Sequence, residues 1–434
     1  MVTPLRRTAR IGSMAAAAAM LGAGLFPMVS SAASGQVNII EWVNPPAVTA
    51  TKLIDTGFQK ATGIKANLTT AVDRATNYAA LEKTSVQSGS QDIMAVFPIQ
   101  PYPPGMPTTD LSSEALWGVD GVYTALNNQP WVKRMLPASR EAQTYNGKLY
   151  GLNTGVYQVG VFYNKTIFAK YHLTPPTTLS QYMKLAATLK KDGVTPLWFG
   201  AGAGAPVYEW VMLMDAELMA IYGNMNVDNA FWANKTGFTS KQFVQALTQA
   251  KEITTTMKPN WQGEPWTGMP GAFASGKAAM LLDGSWDMAS VLTANPKMQI
   301  GYFPLPGSNV AARNVSILQP DLTWVVLKNG KDQAQALKWL NYFSQPKVYA
   351  QYVKVTGISP SFKGTYPSAT QGILGKWLSK GLLEANAEPA LPASGPFALQ
   401  PTNFWNTLQS TLLGQTSIAK ATQGWEAAWK SMKK

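Results

Sequence analysis

Residues 273–286, FASGKAAMLLDGSW, decide the fold, and the apolar segment GYFPLP at 301–306 follows them closely. Phe273, Ala274, Lys277 and Ala278 are spaced as on one face of a short helix, and AAMLLDG then reads as a buried strand stopped at Gly284. Asp283, Gly284 and Ser285 are turn chemistry. Ser285 is expected to cap a helix that opens with Trp286 and carries Asp287 in its first turn, where a carboxylate suits the helix dipole. Open α/β sheets place ligands at such strand-to-helix junctions, so the Trp286 indole is a candidate contact. The competing reading makes Trp286 core, as large aromatics are highly buried on average. Gly271, Gly276 and Lys277 have P-loop spacing, but Ala278 offers no hydroxyl to Mg²⁺ and Pro270 precedes the motif in place of a buried strand.

The pattern F-x-x-G-K-A-A-M-x-x-x-G-S-W, followed by Y-F-P-L-P-G, resembles the extracellular solute-binding proteins of ABC importers, in particular the sugar-binding group that includes the maltose-binding protein. The hairpin at 145–152, the YNK at 163–165 and the PPTT at 175–178 extend the resemblance, as does the helix 333–343 with its SQP. It implies an α/β fold of two lobes, a periplasmic-binding-protein fold of type II with parallel-rich sheets flanked by helices and a ligand cleft between the lobes. It also implies a binding protein without enzymatic activity, an ABC permease as membrane partner, and a monomer.

The whole chain is consistent with that class. Its 434 residues suffice for two domains, and 46% hydrophobic with 14% charged residues describes a globular chain. Arg6, Arg7 and Arg10 precede an Ala-rich apolar run, and Ser31-Ala32-Ala33 offers small residues for cleavage after Ala33, so 1–33 reads as a signal peptide. An uncleaved anchor is the rival reading. Thr8-Ala9 lacks the apolar residue usual after a twin-arginine pair, which favours general secretion and an exported, periplasmic or extracellular protein. Without cysteine the chain has no disulfide, no thiolate metal site and no lipidated Cys. The leader's three arginines, with no acidic residue, take the net charge from +13 to +10 once removed. These charges are scattered, and no basic helix points to nucleic acid.

Along the chain, strands are expected at 37–43, 64–68 and 92–97 with helices at 51–62 and 77–88 between them, a β-α-β-α-β run that implies a parallel sheet. Asn146-Gly147 centres a hairpin. The stretch 154–171 then reads as a long strand running into a helix start, and His172, the lone histidine, reads as a turn residue. By the resemblance, this strand carries the first passage between lobes, with a hinge near 155–158 and a third passage near 361–366. The expected lobes are 34–156 with 308–363, and 157–307 with 364–434. The proline-rich loop 98–107 reads either as a cleft rim or as plain surface.

Sugars present apolar C–H faces and a rim of hydroxyls, so aromatic platforms with planar polar side chains suit them. Trp42, Tyr157, Trp210, Trp286, Trp405, Gln158 and Asp321 lie at loops, passages or helix starts, and the resemblance makes them the ligand-binding set. No cofactor, metal or catalytic residue is expected. A secreted hydrolase is the alternative, since paired carboxylates are available in Asp283 with Asp287 and in Glu209 with Glu264. Triad and zinc mechanisms lack their parts. An anion or polyamine binder on the same fold is the third reading, weakened by scarce arginine and scarce carboxylates among the site candidates.

Overall fold

The computed structural model describes residues 35–72, 77–96, 117–118, 120–202, 208–223, 227–375, 377, 381–383 and 401–432. The leader 1–33 and the loop 98–107 lie outside the described residues. In chain order the first strands are β1 (Gln36–Trp42), β2 (Lys65–Ala71), β3 (Ile93–Val96), the hairpin β4 (Thr144–Tyr145) with β5 (Lys148–Leu149), and β6 (Gly151–Asn153). They continue with β7 (Gly155–Asn164), β8 (Leu197–Trp198), β9 (Met280–Gly284), β10 (Ile300–Phe303), β11 (Ser316–Pro320), β12 (Thr323–Val326), β13 (Ser359–Pro360) and β14 (Gly381–Leu383).

The first lobe is built on the sheet β2-β1-β3-β12-β6. β1 pairs in parallel with β2 and β3, as the β-α-β-α-β reading requires, while β12 enters antiparallel beside β3 and β6. Helix Pro45–Thr62 begins earlier than expected: Pro45 and Pro46 end the strand and also occupy the first helical turn, where a missing N–H costs nothing. Gly63 closes it in the left-handed region with φ 73°. Helices Gln333–Phe343 and Pro346–Thr356 contribute Ala336, Trp339, Leu340, Phe343, Tyr349 and Tyr352 to the core over this sheet.

The second lobe is built on β14-β11-β7-β9-β8, with β10 and β13 also on β7. β7 is the spine, since β9, β10, β11 and β13 all pair antiparallel with it. Asn164 ends β7 and caps helix Lys165–Lys170, its side-chain oxygen accepting from the amides of Thr166 and Ile167 at 2.9 and 3.2 Å. Helices Tyr208–Tyr222, Lys241–Thr254, Pro401–Leu412 and Ile418–Met432 cover the sheet, and Phe238, Phe243, Phe404 and Trp425 interlock between them. Asn146 and Gly147, both at positive φ, form the expected hairpin turn, and His172 at φ 54° is a turn residue.

Three passages join the lobes. Thr154 alone separates β6 from β7. The chain returns between Pro320 and Thr323, so β11 belongs to the second sheet although the expected boundary placed 308–363 in the first lobe. The apolar GYFPLP segment looks like the end of a lobe, but β11 lies beyond it. Phe362 and Tyr366 still pack in the first core, whereas Leu374 packs in the second lobe.

The 273–286 stretch departs from expectation in two details. Its helix is Met269–Ala274, shifted towards Pro270 at the helix start. Ser285 caps nothing: Ser285–Asp287 is a single 3₁₀ turn before helix Met288–Ala294, and the Ser285 hydroxyl accepts from the Gln158 amide at 3.1 Å. The extended β7–β9 register places Ser285 beside Gln158, so the sheet amide outcompetes the helix end.

A candidate ligand site at the passage between lobes

The registers bring one end of each sheet together. In the first sheet, Trp42 ends β1, Val96 ends β3, Asn153 ends β6 and Thr323 opens β12, all on one edge. In the second, Gly284 pairs with Val159, so the residues after it run opposite the start of β7. Trp286 thus meets Tyr157, edge-on at 5.0 Å and 83°. Tyr157 packs against the cores of both lobes, and helix Pro45–Thr62 of one lobe touches helix Met288–Ala294 of the other.

The indole also folds back over its own strand. A Cβ at Gly284 would lie 2.1 Å from Cζ3 of Trp286, so glycine is what admits the ring there. Trp286 keeps 9% of its surface exposed and packs in the core of the second lobe.

Carboxylates surround this ring pair. Asp321 is 2% exposed; its Oδ2 lies 3.0 Å from the Thr154 hydroxyl, which also lies 2.8 Å from the Leu322 carbonyl. Burial pushes the Asp321 pKa up to about 6, against the lowering influence of the polar groups of Tyr157, Leu322 and Thr154. Burial likewise raises Asp287 to about 7 against a hydrogen bond with Asp283, and it holds Glu41 well above the carboxylate range, where Asp321 and Asp55 add to the shift and Thr51 opposes it. The backbone around Asp321 is tied across the passage: its amide donates to Gly155 at 2.8 Å, Thr154 donates to Leu322 at 2.9 Å, and Tyr349 donates to the Thr154 carbonyl at 2.8 Å.

The profile of the bacterial extracellular solute-binding proteins matches residues 43–350, most of the chain. The chain belongs to that family. The family is one of binding proteins and not of enzymes. Among similar proteins, the multiple sugar-binding protein of Streptococcus mutans is 24% identical over 288 residues, covering 65% of each chain, so the match spans just under two thirds of that relative. The structure of RafE in complex with raffinose superposes with a TM-score of 0.72 at 20% identity, covering 92% of this chain and all of that one. A structure of RafE without ligand, from Streptococcus pneumoniae, gives 0.69 at 20% identity over 92% and 98%. At these identities the superpositions show the two-lobe periplasmic-binding-protein fold.

Set on the family's fold, the seven expected residues separate. Tyr157, Trp286 and Asp321 form one contiguous group. Trp42 stands on the first lobe's edge, 5.5 Å and T-shaped from Tyr78. Gln158 points to the other face of β7, fully buried, its amide donating to the Trp377 carbonyl at 2.7 Å. Trp210 and Trp405 sit on helices Tyr208–Tyr222 and Pro401–Leu412, and their side chains lie outside those described. Of the hydrolase candidates, Asp283 and Asp287 lie against each other, Glu264 pairs with Lys258 at 3.0 Å, and the Glu209 side chain lies outside those described. Among the described residues no cluster of three metal-ligating side chains occurs, and no helix is long and apolar enough to cross a membrane. Glu41 was not anticipated, though a lone acid inside the apolar run VNIIEWV was its signal. Thr154 and Tyr349 left no comparable trace.

Proposed function

We propose that this chain is the carbohydrate-binding component of an ABC importer, taking an oligosaccharide or sugar derivative between its lobes and delivering it to a membrane permease. The observation that carries this reading is the Tyr157–Trp286 ring pair at the passage between two sheets, in a chain of the solute-binding family. The ring faces suit the C–H faces of a pyranose, and the neighbouring polar groups suit its hydroxyls. Relatives and structural neighbours support the same ligand class by what they are described as binding: multiple sugars in Streptococcus mutans and raffinose in RafE.

Trp42, Trp210 and Trp405 complete the proposed aromatic set, with Gln158 as support behind β7. The proposed lobes follow the sequence reading, 34–156 with 308–363 and 157–307 with 364–434, with the return passage moved to 320–323 to follow β11. The protein acts as an exported monomer, released by cleavage after Ala33. A thermal-shift screen against mono- and oligosaccharides tests the reading, because a ligand of the folded state raises apparent stability by mass action. At least one saccharide should raise Tm and remain chemically unchanged. Stabilisation by amino acids or polyamines and by no sugar would overturn it, as would breakdown of the sugar.

A further inference from the structure

β7 leaves the passage between lobes at Gly155 and ends at Asn164, roughly 30 Å away for a strand of this length. Five segments meet around that end. The Lys165 amide donates to the Gln299 carbonyl at 2.8 Å, and the Asn164 amide to the Ala279 carbonyl at 2.9 Å. Ala279 donates in turn to Thr195 at 3.0 Å, the Lys258 amide donates to Leu197 at 3.0 Å, and the Lys190 ammonium donates to the Thr255 carbonyl. Residues 164–165, 190–197, 254–258, 276–279 and 297–299 thus share the far end of the second lobe. They carry Lys165, Lys190, Lys191, Lys258, Lys277 and Lys297 against a single acid, Asp192. Glu252 and Glu264 border them, and Glu264 is taken up by Lys258 at 3.0 Å. Charges that the sequence scatters from 165 to 297 are gathered by the sheet at one end.

We propose that this end of the second lobe docks on the anionic phospholipid surface of a bilayer. Screening in physiological salt acts over about 8 Å, far less than the length of β7, so these ammonium groups do not serve the proposed sugar site. Lysine heads on flexible stems suit a diffuse layer of phosphates, whereas a defined anion calls for the fixed fork of arginine, and no arginine stands on these segments. The same end holds an open recess of about 420 Å³, lined among others by Lys190, Val194, Pro196, Met257, Lys258 and Trp261. Apolar lining beneath two lysines matches the junction of headgroup and acyl chain, a depth that suits an indole. A soluble polyanion would use the charges and leave the recess idle. The chain has no cysteine to carry a lipid, so this face supplies by charge what an anchor supplies by chemistry. Its purpose rests on the proposed reading, in which a binding protein held at the membrane meets its permease there; the docking itself is measured without sugar or permease.

The processed chain, residues 34–434, keeps every described residue and is sedimented with vesicles of phosphatidylglycerol and phosphatidylcholine in equal parts, or of phosphatidylcholine alone. Binding should require the anionic lipid and fall steeply as salt is raised. Each lysine at such a surface gains about fivefold in affinity, so Lys165→Gln, Lys191→Gln, Lys277→Gln and Lys297→Gln combined should weaken binding by roughly a hundredfold or more. The same charge removed from the first lobe, by Lys60→Gln, Lys65→Gln, Lys83→Gln and Lys354→Gln, should leave most of the binding in place. All these lysines are exposed, and both variants should melt with the parent. Absence of binding to the anionic vesicles overturns the proposal, as does equal weakening by the two sets, which would assign binding to net charge. Equal binding to phosphatidylcholine alone overturns it too, and so does tighter binding to soluble polyphosphate than to vesicles. Vesicle binding with a negative sugar screen would remove the sugar reading and leave the docking; the reverse result would remove the docking alone.

Discussion

Gly284→Ala should disable the ring pair without altering any group that touches it chemically. The backbone tolerates the change, since φ at Gly284 is −96°. Space does not: the three nearest atoms to the new methyl all belong to the Trp286 indole, at 2.1, 2.2 and 2.3 Å. No real Cβ contact is that close, so the indole must swing away from Tyr157. Overpacking of this kind costs typically about 1–3 kcal/mol of folding stability. A ring stacked on a sugar contributes on the order of 1 kcal/mol, and about 1.4 kcal/mol is a factor of ten, so affinity should fall roughly fivefold. Urea melts and calorimetric titration with the best sugar from the screen measure the two losses. Trp286→Ala supplies the control, as it should cost about 3–5 kcal/mol if the indole is wholly core and chiefly binding if it is platform. In the Trp286→Ala background the methyl at 284 should be nearly neutral, since the atoms it strikes are gone. Equal destabilisation by Gly284→Ala in both backgrounds, or normal sugar binding by the single variant, would refute the reasoning.

Asp55→Asn should stabilise the protein at pH 8. Burial raises the Asp55 carboxyl to about 7, opposed by the Trp339 indole N–H that donates to it at 2.8 Å, so the folded state holds a proton that the unfolded chain releases near 4. Stability is therefore lost as pH rises from about 4 through 7, by up to about 4 kcal/mol, and urea melts at pH 4.5 and 8 should show a shallower slope in the variant. Asn164→Ala removes the cap of helix Lys165–Lys170 and should cost about 1 kcal/mol by the same melts, without affecting sugar affinity. Small-angle scattering with and without saturating sugar should show a smaller radius of gyration when bound, and an unchanged value would count against hinge closure.

Much of this architecture is legible because it is local. Helix Gln333–Phe343 has its expected bounds, since Ala336, Trp339, Leu340 and Phe343 repeat with the helical period and all turn to the core. Asn146-Gly147 announces its own turn. Tyr157 and Trp286, the rings of the proposed platform, are both named from motifs on either side. What stayed hidden is pairing across distance. Ser285 looks like a cap until β7 is laid beside it and the Gln158 amide claims its hydroxyl. Likewise β12 carries no local mark of running antiparallel to β3, and Asp321, expected to face a ligand, turns out enclosed at the passage beside Thr154.

The spine strand has a consequence for how the molecule is made. Among the described residues, 155–164 find strand partners at 280–284, 300–303, 316–320 and 359–360, and β3, already beside β1, gains its second neighbour only with 323–326. Neither sheet is complete until most of the polypeptide has emerged, and the long loops that bring in these late strands must close before their contacts repay them. A chain wired in this way can close both of its sheets only late in its synthesis.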